Sequence, residues 1–147
     1  MVTKITKAEL NDIEILHNNL RQADIKEITA QGSTALMSLL EGFSLSKECY
    51  SIIIDNKPEG MFGLSILNMP EGSANIWCLG TDKLATIPKD WLKLGRFYIN
   101  KFLDNYSILT NQVSIHNKLH IKWLGKLGAS FSDSHNGFKQ FIITKGG

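Results

Sequence analysis

The chain has 147 residues, the size of one ordinary domain, and its 43% hydrophobic against 20% charged residues exclude a disordered segment or a long coiled coil. Sixteen Lys and Arg against fourteen Asp and Glu give a net charge of +2, scattered along the chain, so no basic cluster points to nucleic acid. No apolar run approaches the roughly 18 residues of a membrane span, and the polar start after Met1 lacks the apolar centre of a signal peptide, which predicts an intracellular protein.

Val2 to Thr6 alternates as a short strand, and Lys7-Ala8-Glu9 opens a helix with Leu10, Ile13, Leu16 and Leu20 at helical spacing. A second helix is predicted from Asp24 to about Ala30, with Gly32 as its C-cap. A third runs from Ser33 through Leu36, Leu39 and Leu40 to Gly42. Cys49 to Ile54 is β-rich, Asp55-Asn56-Lys57-Pro58 punctuates it, and Gly60 to Leu67 returns as a second strand. After the turn Pro70-Glu71-Gly72-Ser73, Ala74 to Gly80 forms a third strand, so three strands make an antiparallel meander.

A polar connection, 81–87, leads to Pro88, whose missing N–H costs nothing in a first helical turn. The helix that follows carries a broad apolar face through Trp91, Leu94, Tyr98 and Phe102. Tyr106 to Ile115 is a strand, Asn117 opens a short amphipathic helix ending at Gly128, and Ala129-Ser130-Phe131 resumes strand. Asn136-Gly137 is a two-residue hairpin turn before the last strand, Phe138 to Thr144. This order predicts a mixed α/β, or α+β, domain over residues 1–147, with a mostly antiparallel twisted sheet of about six to seven strands flanked by helices.

Cys49 and Cys78 lie in apolar strands and read as small packed hydrophobes. His17, His116, His120 and His135 make no metal-binding motif, and no metal is expected. Asn117 reads as a helix N-cap and Gly128 as its left-handed C-cap. An exposed apolar patch would be sought first around Leu36, Met37, Leu39, Leu40 and Phe43.

The element order, with His116 to Ala129 as a short helix opened by Asn117 and closed by Leu127-Gly128, resembles the GNAT superfamily of N-acyltransferases. A closer resemblance covers nearly the whole chain: it looks like the internal virion protein A family of short-tailed phages. Arg21-Gln22-Ala23-Asp24 with Glu27, Ile76 to Asp82, Asn111 to Phe131 and Phe141 to Gly146 carry it. That resemblance implies a role in virion morphogenesis, other virion or assembly proteins as partners, and a location in the host cytoplasm or the particle.

The GNAT resemblance implies acetyl-CoA as cofactor, and Gly80, Thr81, Lys83 and Asn117 are the positions that would hold it, with Asp82 or His116 as candidate base. The family's pyrophosphate loop, Gln/Arg-x-x-Gly-x-Gly/Ala, should fall between Gly80 and Trp91, where this chain has no glycine and places Pro88. The tyrosine that would protonate the departing thiolate should stand seven residues after Asn117, and Leu124 is there instead. Both departures predict a GNAT-like scaffold without acetyl transfer, the alternative being an N-acetyltransferase with a degenerate cofactor loop.

Overall fold

The computed structural model describes residues 3–146, so Val2 of the first predicted strand lies outside the described residues. In chain order the elements are β1 (Thr3–Lys7), α1 (Leu10–Leu16), α2 (Gln22–Ala30), α3 (Ala35–Leu45), β2 (Glu48–Ile54), β3 (Lys57–Ser65) and β4 (Ser73–Gly80). A 3-10 turn, Asp82–Thr86, precedes α4 (Pro88–Leu103), β5 (Ile108–Ser114), α5 (Lys118–Lys126), β6 (Ser130–Phe131) and β7 (Phe138–Thr144). The seven strands form one sheet in the order β1-β2-β3-β4-β5-β7-β6, and β4 with β5 is its one parallel pair among the described residues.

Because successive strand side chains point to opposite faces, β3 feeds two cores at once. Met61 packs under α1, α2 and α3 with Ile13, Leu16, Ile28 and Leu39. Leu64 packs on the other face with Ile99, Phe102 and Leu103 of α4 and with Leu109 and Ile143. A third cluster on that second side gathers Ile52, Ile54, Leu84, Ile87, Trp91 and Trp123.

Several expectations move by a few residues for local reasons. The hairpin turn after β2 is Asp55-Asn56 alone, both at positive φ (50° and 67°), and Pro58 already belongs to β3. The register shifts there: Ile53 pairs with Pro58 and Ile52 with Gly60, which leaves Glu59 as the extra residue of a bulge. The helix expected to stop at Gly42 continues to Leu45, capped at its start by the Thr34 hydroxyl, which accepts from the Met37 N–H at 3.2 Å. Gly42 is instead a packing position, where an added Cβ would meet the Trp77 ring at 2.5 Å. The Asn136-Gly137 turn has the expected positive φ at both residues, 53° and 80°, and Gly128 closes α5 at φ 96°.

Candidate functional site

The parallel ladder between β4 and β5 is short. It runs from Ser73↔Ile108 to Asn75↔Thr110 and goes no further, although β4 continues to Gly80 and β5 to Ser114. The strands part at Asn111, whose side chain takes the place of the next ladder rung. Its Nδ2 donates to the Ile76 carbonyl at 2.8 Å, and its Oδ1 accepts the Gln112 N–H at 2.7 Å. One amide side chain thereby satisfies both strands where they separate.

At the far end of the split, α2 closes the gap. The Gly80 N–H donates to Asp24 Oδ2 at 3.1 Å, the Gly80 carbonyl accepts from the Arg21 N–H at 2.9 Å, and the Ser114 N–H donates to Glu27 Oε1 at 3.1 Å. From the other side of the sheet, α5 contributes Asn117 and His120. Asn117 Oδ1 accepts from Arg21 Nη2 at 3.2 Å, while its Nδ2 donates to Glu27 Oε2 at 2.9 Å and lies 3.2 Å from Asp24 Oδ1. Arg21 Nη1 bonds Asp24 Oδ1 at 3.1 Å and stands 3.0 Å from His120 Nε2. Arg21, Asp24 and Asn117 are all buried, so this is a polar clasp that passes through the sheet and ties the two helix layers together.

The electrostatics of the clasp follow from burial. His120 has a donor on each ring nitrogen, Arg21 Nη1 at Nε2 and Asn117 Nδ2 at 3.2 Å from Nδ1, so an imidazolium would face two donors. Burial, with the Arg21 charge beside it, lowers its pKa to about 4, against a small opposing pull from Glu27. Burial also lifts the Asp24 carboxyl above its usual value, more than Arg21, the Gly80 N–H and Asn117 draw it down. Ligand atoms of Asp24, Glu27 and His120 lie within 4.8 Å of one another, close enough to share a metal ion, but the cation already among them is Arg21. His120 is therefore a poor general base at neutral pH, with its proton-accepting nitrogen engaged and its basicity lowered.

Between Asn111 and the clasp the split opens into a cavity of about 370 Å³ that reaches both faces of the sheet. Ile28, Gly42, Leu45 and Trp77 line it on the α2–α3 side, and Tyr98, Trp123 and Leu124 on the α4–α5 side. Leu124 thus borders the space where the resemblance requires an acid hydroxyl, and it has none to give.

The polar connection from β4 to α4 is the 3-10 turn, and it is folded against the sheet. Leu84 is fully buried, and it occupies the space beside Gly80 and Gly60: an added Cβ at Gly80 would overlap Leu84 Cδ1. Four of the backbone donors here are spent within the chain. The Thr81 N–H goes to the Glu59 carbonyl, the Lys83 N–H to the Thr81 hydroxyl, the Leu84 N–H to the Thr81 carbonyl and the Ile87 N–H to the Leu84 carbonyl. Pro88 has no N–H, and Asp90 places a negative charge in the first turn of α4.

The candidate residues scatter around this site. Gly80 lies against α2, and Thr81 is buried with its hydroxyl on Glu59 Oε1 at 2.9 Å. Lys83 and Asp82 are exposed on the 3-10 turn, and His116 is exposed beyond β5. Asn117 sits at the start of α5 but makes no side-chain cap, a correction to its expected role: its amide is drawn into the clasp by Arg21, Asp24 and Glu27. None of these six borders the cavity among the described residues. His120 and Asn111, which do, went unremarked as site residues in the sequence. The one local signal was spacing, since Arg21, Asp24 and Glu27 recur every three residues and Asn117 and His120 stand three apart, each set on one helical face. Of the suspected apolar patch, Leu39 is fully buried while Leu36 and Met37 are exposed.

Solved structures share this architecture along nearly the full chain. The fold is that of the GNAT N-acyltransferases. AAC(6')-Ib in complex with ribostamycin and coenzyme A is 14% identical, with a TM-score of 0.69, 99% of this chain and 94% of that one being covered. A GNAT-family acetyltransferase from Bacillus anthracis is 12% identical with a TM-score of 0.65, covering 98% and 95%. A chimera of the Vibrio cholerae spermidine N-acetyltransferase SpeG and hSSAT is 16% identical with a TM-score of 0.63, covering 97% and 95%. Residues 66–136, just under half of the chain, match the family described as "Bacteriophage T7, probable scaffold protein Gp13". No curated protein matches the chain in sequence.

Proposed function

We propose that this chain is a phage virion or assembly protein that uses a GNAT scaffold for protein contacts and does not transfer acyl groups. The observation that carries the proposal is the β4–α4 connection: Leu84 fills the space beside Gly80, and the N–H groups of Thr81, Lys83, Leu84 and Ile87 are bonded within the chain. A pyrophosphate needs converging free N–H groups at a helix start, and here the four that precede α4 are bonded within the chain, Pro88 has none, and Asp90 sets a negative charge in the first turn. The match of residues 66–136 to a phage scaffold-protein family, and the resemblance to internal virion protein A, supply the assembly context.

The second reading, an acetyl-CoA-dependent N-acetyltransferase, is favoured by the cavity of about 370 Å³ in the β4–β5 split and by AAC(6')-Ib, which holds coenzyme A on the same fold. Calorimetric titration with acetyl-CoA separates the two. The expected result is no heat of binding at millimolar ligand, whereas micromolar binding with thiol release in the presence of a panel of amines would overturn the non-catalytic role.

A further inference from the structure

Going beyond that assembly role, and away from the β4–β5 split, we propose that the outward surface of α4 and α5 binds the phosphate backbone of double-stranded DNA without reading its sequence.

The fold gathers cations that the sequence spreads out. Residues 82–126 hold eight Lys and Arg against three Asp and no Glu, so this stretch carries +5 in a chain whose net charge is +2, and the remainder carries −3. Lys89, Lys93 and Arg96 of α4 and Lys118, Lys122 and Lys126 of α5 are all exposed. They are turned away from Trp91, Ile99 and Phe102 of α4 and Trp123 of α5, the residues buried against the sheet. The two stripes share one surface because the helices pack side by side: the Trp91 and Trp123 ring centroids lie 5.1 Å apart, and a Cβ on Gly95 would sit 3.2 Å from Leu127 Cδ1. Lys101 has a carboxylate partner, Glu48 at 3.8 Å, but these six cations have none among the described residues. Asp90 is the one acidic residue on the two helices.

The chemistry of this surface selects its partner. A protein interface has an apolar centre within a polar rim, and Phe97 is the only large exposed hydrophobic residue on these two helices among the described residues. A lipid surface takes up the apolar face of a helix, and here both apolar faces are packed on the sheet. Single strands stack on several aromatic rings, which Phe97 alone does not supply. Six unpaired cations on packed helices instead suit a duplex, where each Lys or Arg that meets a phosphate releases a condensed counterion. Lys89 to Arg96 spans about 10 Å along α4 and Lys118 to Lys126 about 12 Å along α5. With one phosphate per roughly 1.7 Å of its axis, a duplex meets a footprint of that size with several phosphates at once. Five of the six are Lys, point charges that hold a phosphate without a bidentate fork, so sequence is not read.

The test measures binding of the full chain to fluorescent duplexes of about 30 base pairs and unrelated sequence by anisotropy, from about 50 to 200 mM salt. The expected result is equal affinity for the sequences, falling with salt at a log–log slope of about −3 or steeper. The triple variant Lys118→Gln, Lys122→Gln and Lys126→Gln should lose at least about tenfold in affinity and flatten the slope by about 2–3. The triple variant Lys7→Gln, Lys26→Gln and Lys47→Gln removes the same charge at exposed positions outside this surface and should change affinity by less than about twofold. No binding at the lowest salt, an equal loss in both triple variants, or an unchanged slope in the α5 variant overturns the proposal. So does binding to polyglutamate or to phosphatidylserine vesicles as tight as that to the duplex, and so does displacement of the duplex by equimolar acetyl-CoA, which would assign the cations to a cofactor.

Discussion

Arg21 and Asn117, 96 positions apart, meet through the gap between β4 and β5 at 3.2 Å, joining a helix on one face of the sheet to a helix on the other. Each is buried, and each is committed to the same carboxylate, Asp24. Removing Arg21 would leave that carboxylate in the interior without its charge partner.

Arg21→Met is therefore expected to cost roughly 3–5 kcal/mol, the range for breaking one side of a buried pair. The double variant Arg21→Met with Asp24→Leu should recover a substantial part, since no lone charge remains. Urea denaturation of the two variants checks both the loss and the recovery.

His120 makes stability depend on acidity with a definite sign. Its pKa falls from 6.5 to about 4 in the folded chain, so above pH 6.5 both states are neutral and nothing changes. Between pH 6.5 and 4 the unfolded chain takes up a proton that the folded chain refuses, and stability falls by up to about 3 kcal/mol. Asp24, raised by burial, acts in the opposite direction as pH drops, because the folded chain takes up its proton first. The difference between the parent chain and His120→Gln isolates the imidazole: denaturation midpoints at pH 7.5, 5.5 and 4.5 should converge toward a shallower pH slope in the variant.

Gly80 and Leu84 are expected to be non-additive. Gly80→Ala forces a Cβ into Leu84 Cδ1, and Leu84→Ala empties a fully buried site at a cost of about 2–5 kcal/mol. Together they relieve the overlap that the first creates, so the double variant should be more stable than the two single losses predict by about 1 kcal/mol or more. A thermal denaturation cycle of the four proteins decides it.

Asn111→Leu should unfasten the point where the strands part. It removes donors and acceptors from the Ile76 carbonyl and the Gln112 N–H at once, with an expected cost of about 1–3 kcal/mol. Amide exchange at Gln112 should accelerate more than exchange at Ala74, which stays inside the ladder.

Restoring a hydroxyl should not restore chemistry. Leu124→Tyr returns an acid group to the cavity wall, yet thiol release from acetyl-CoA is expected to remain at background, because the β4–α4 connection is unchanged. Release clearly above background would favour the acetyltransferase reading.

The architecture was legible because each element carries its own local cause: alternation in β2 to β4, Pro88 at the start of α4, Asn136-Gly137 before β7. The departures at Leu124 and in the glycine-free 81–90 segment were equally visible, since a missing residue type is local information. The clasp was not. Asn117 is a good helix cap by composition, and only the arrival of Arg21 and Glu27 from the opposite helix layer gives its amide other work. His120 likewise gains its lowered pKa from burial and Arg21, neither of which its neighbours in sequence supply.

The short β4–β5 ladder also bears on how the chain is made. During synthesis β1 to β4 can pair as soon as Gly80 emerges, but the outer edge of β4 stays uncovered until α4 and β5 follow. For that interval the nascent sheet carries an open side that any extended polypeptide nearby can occupy. A chain stalled before residue 108 should aggregate, and a separate fragment spanning 108–144 should keep it in solution.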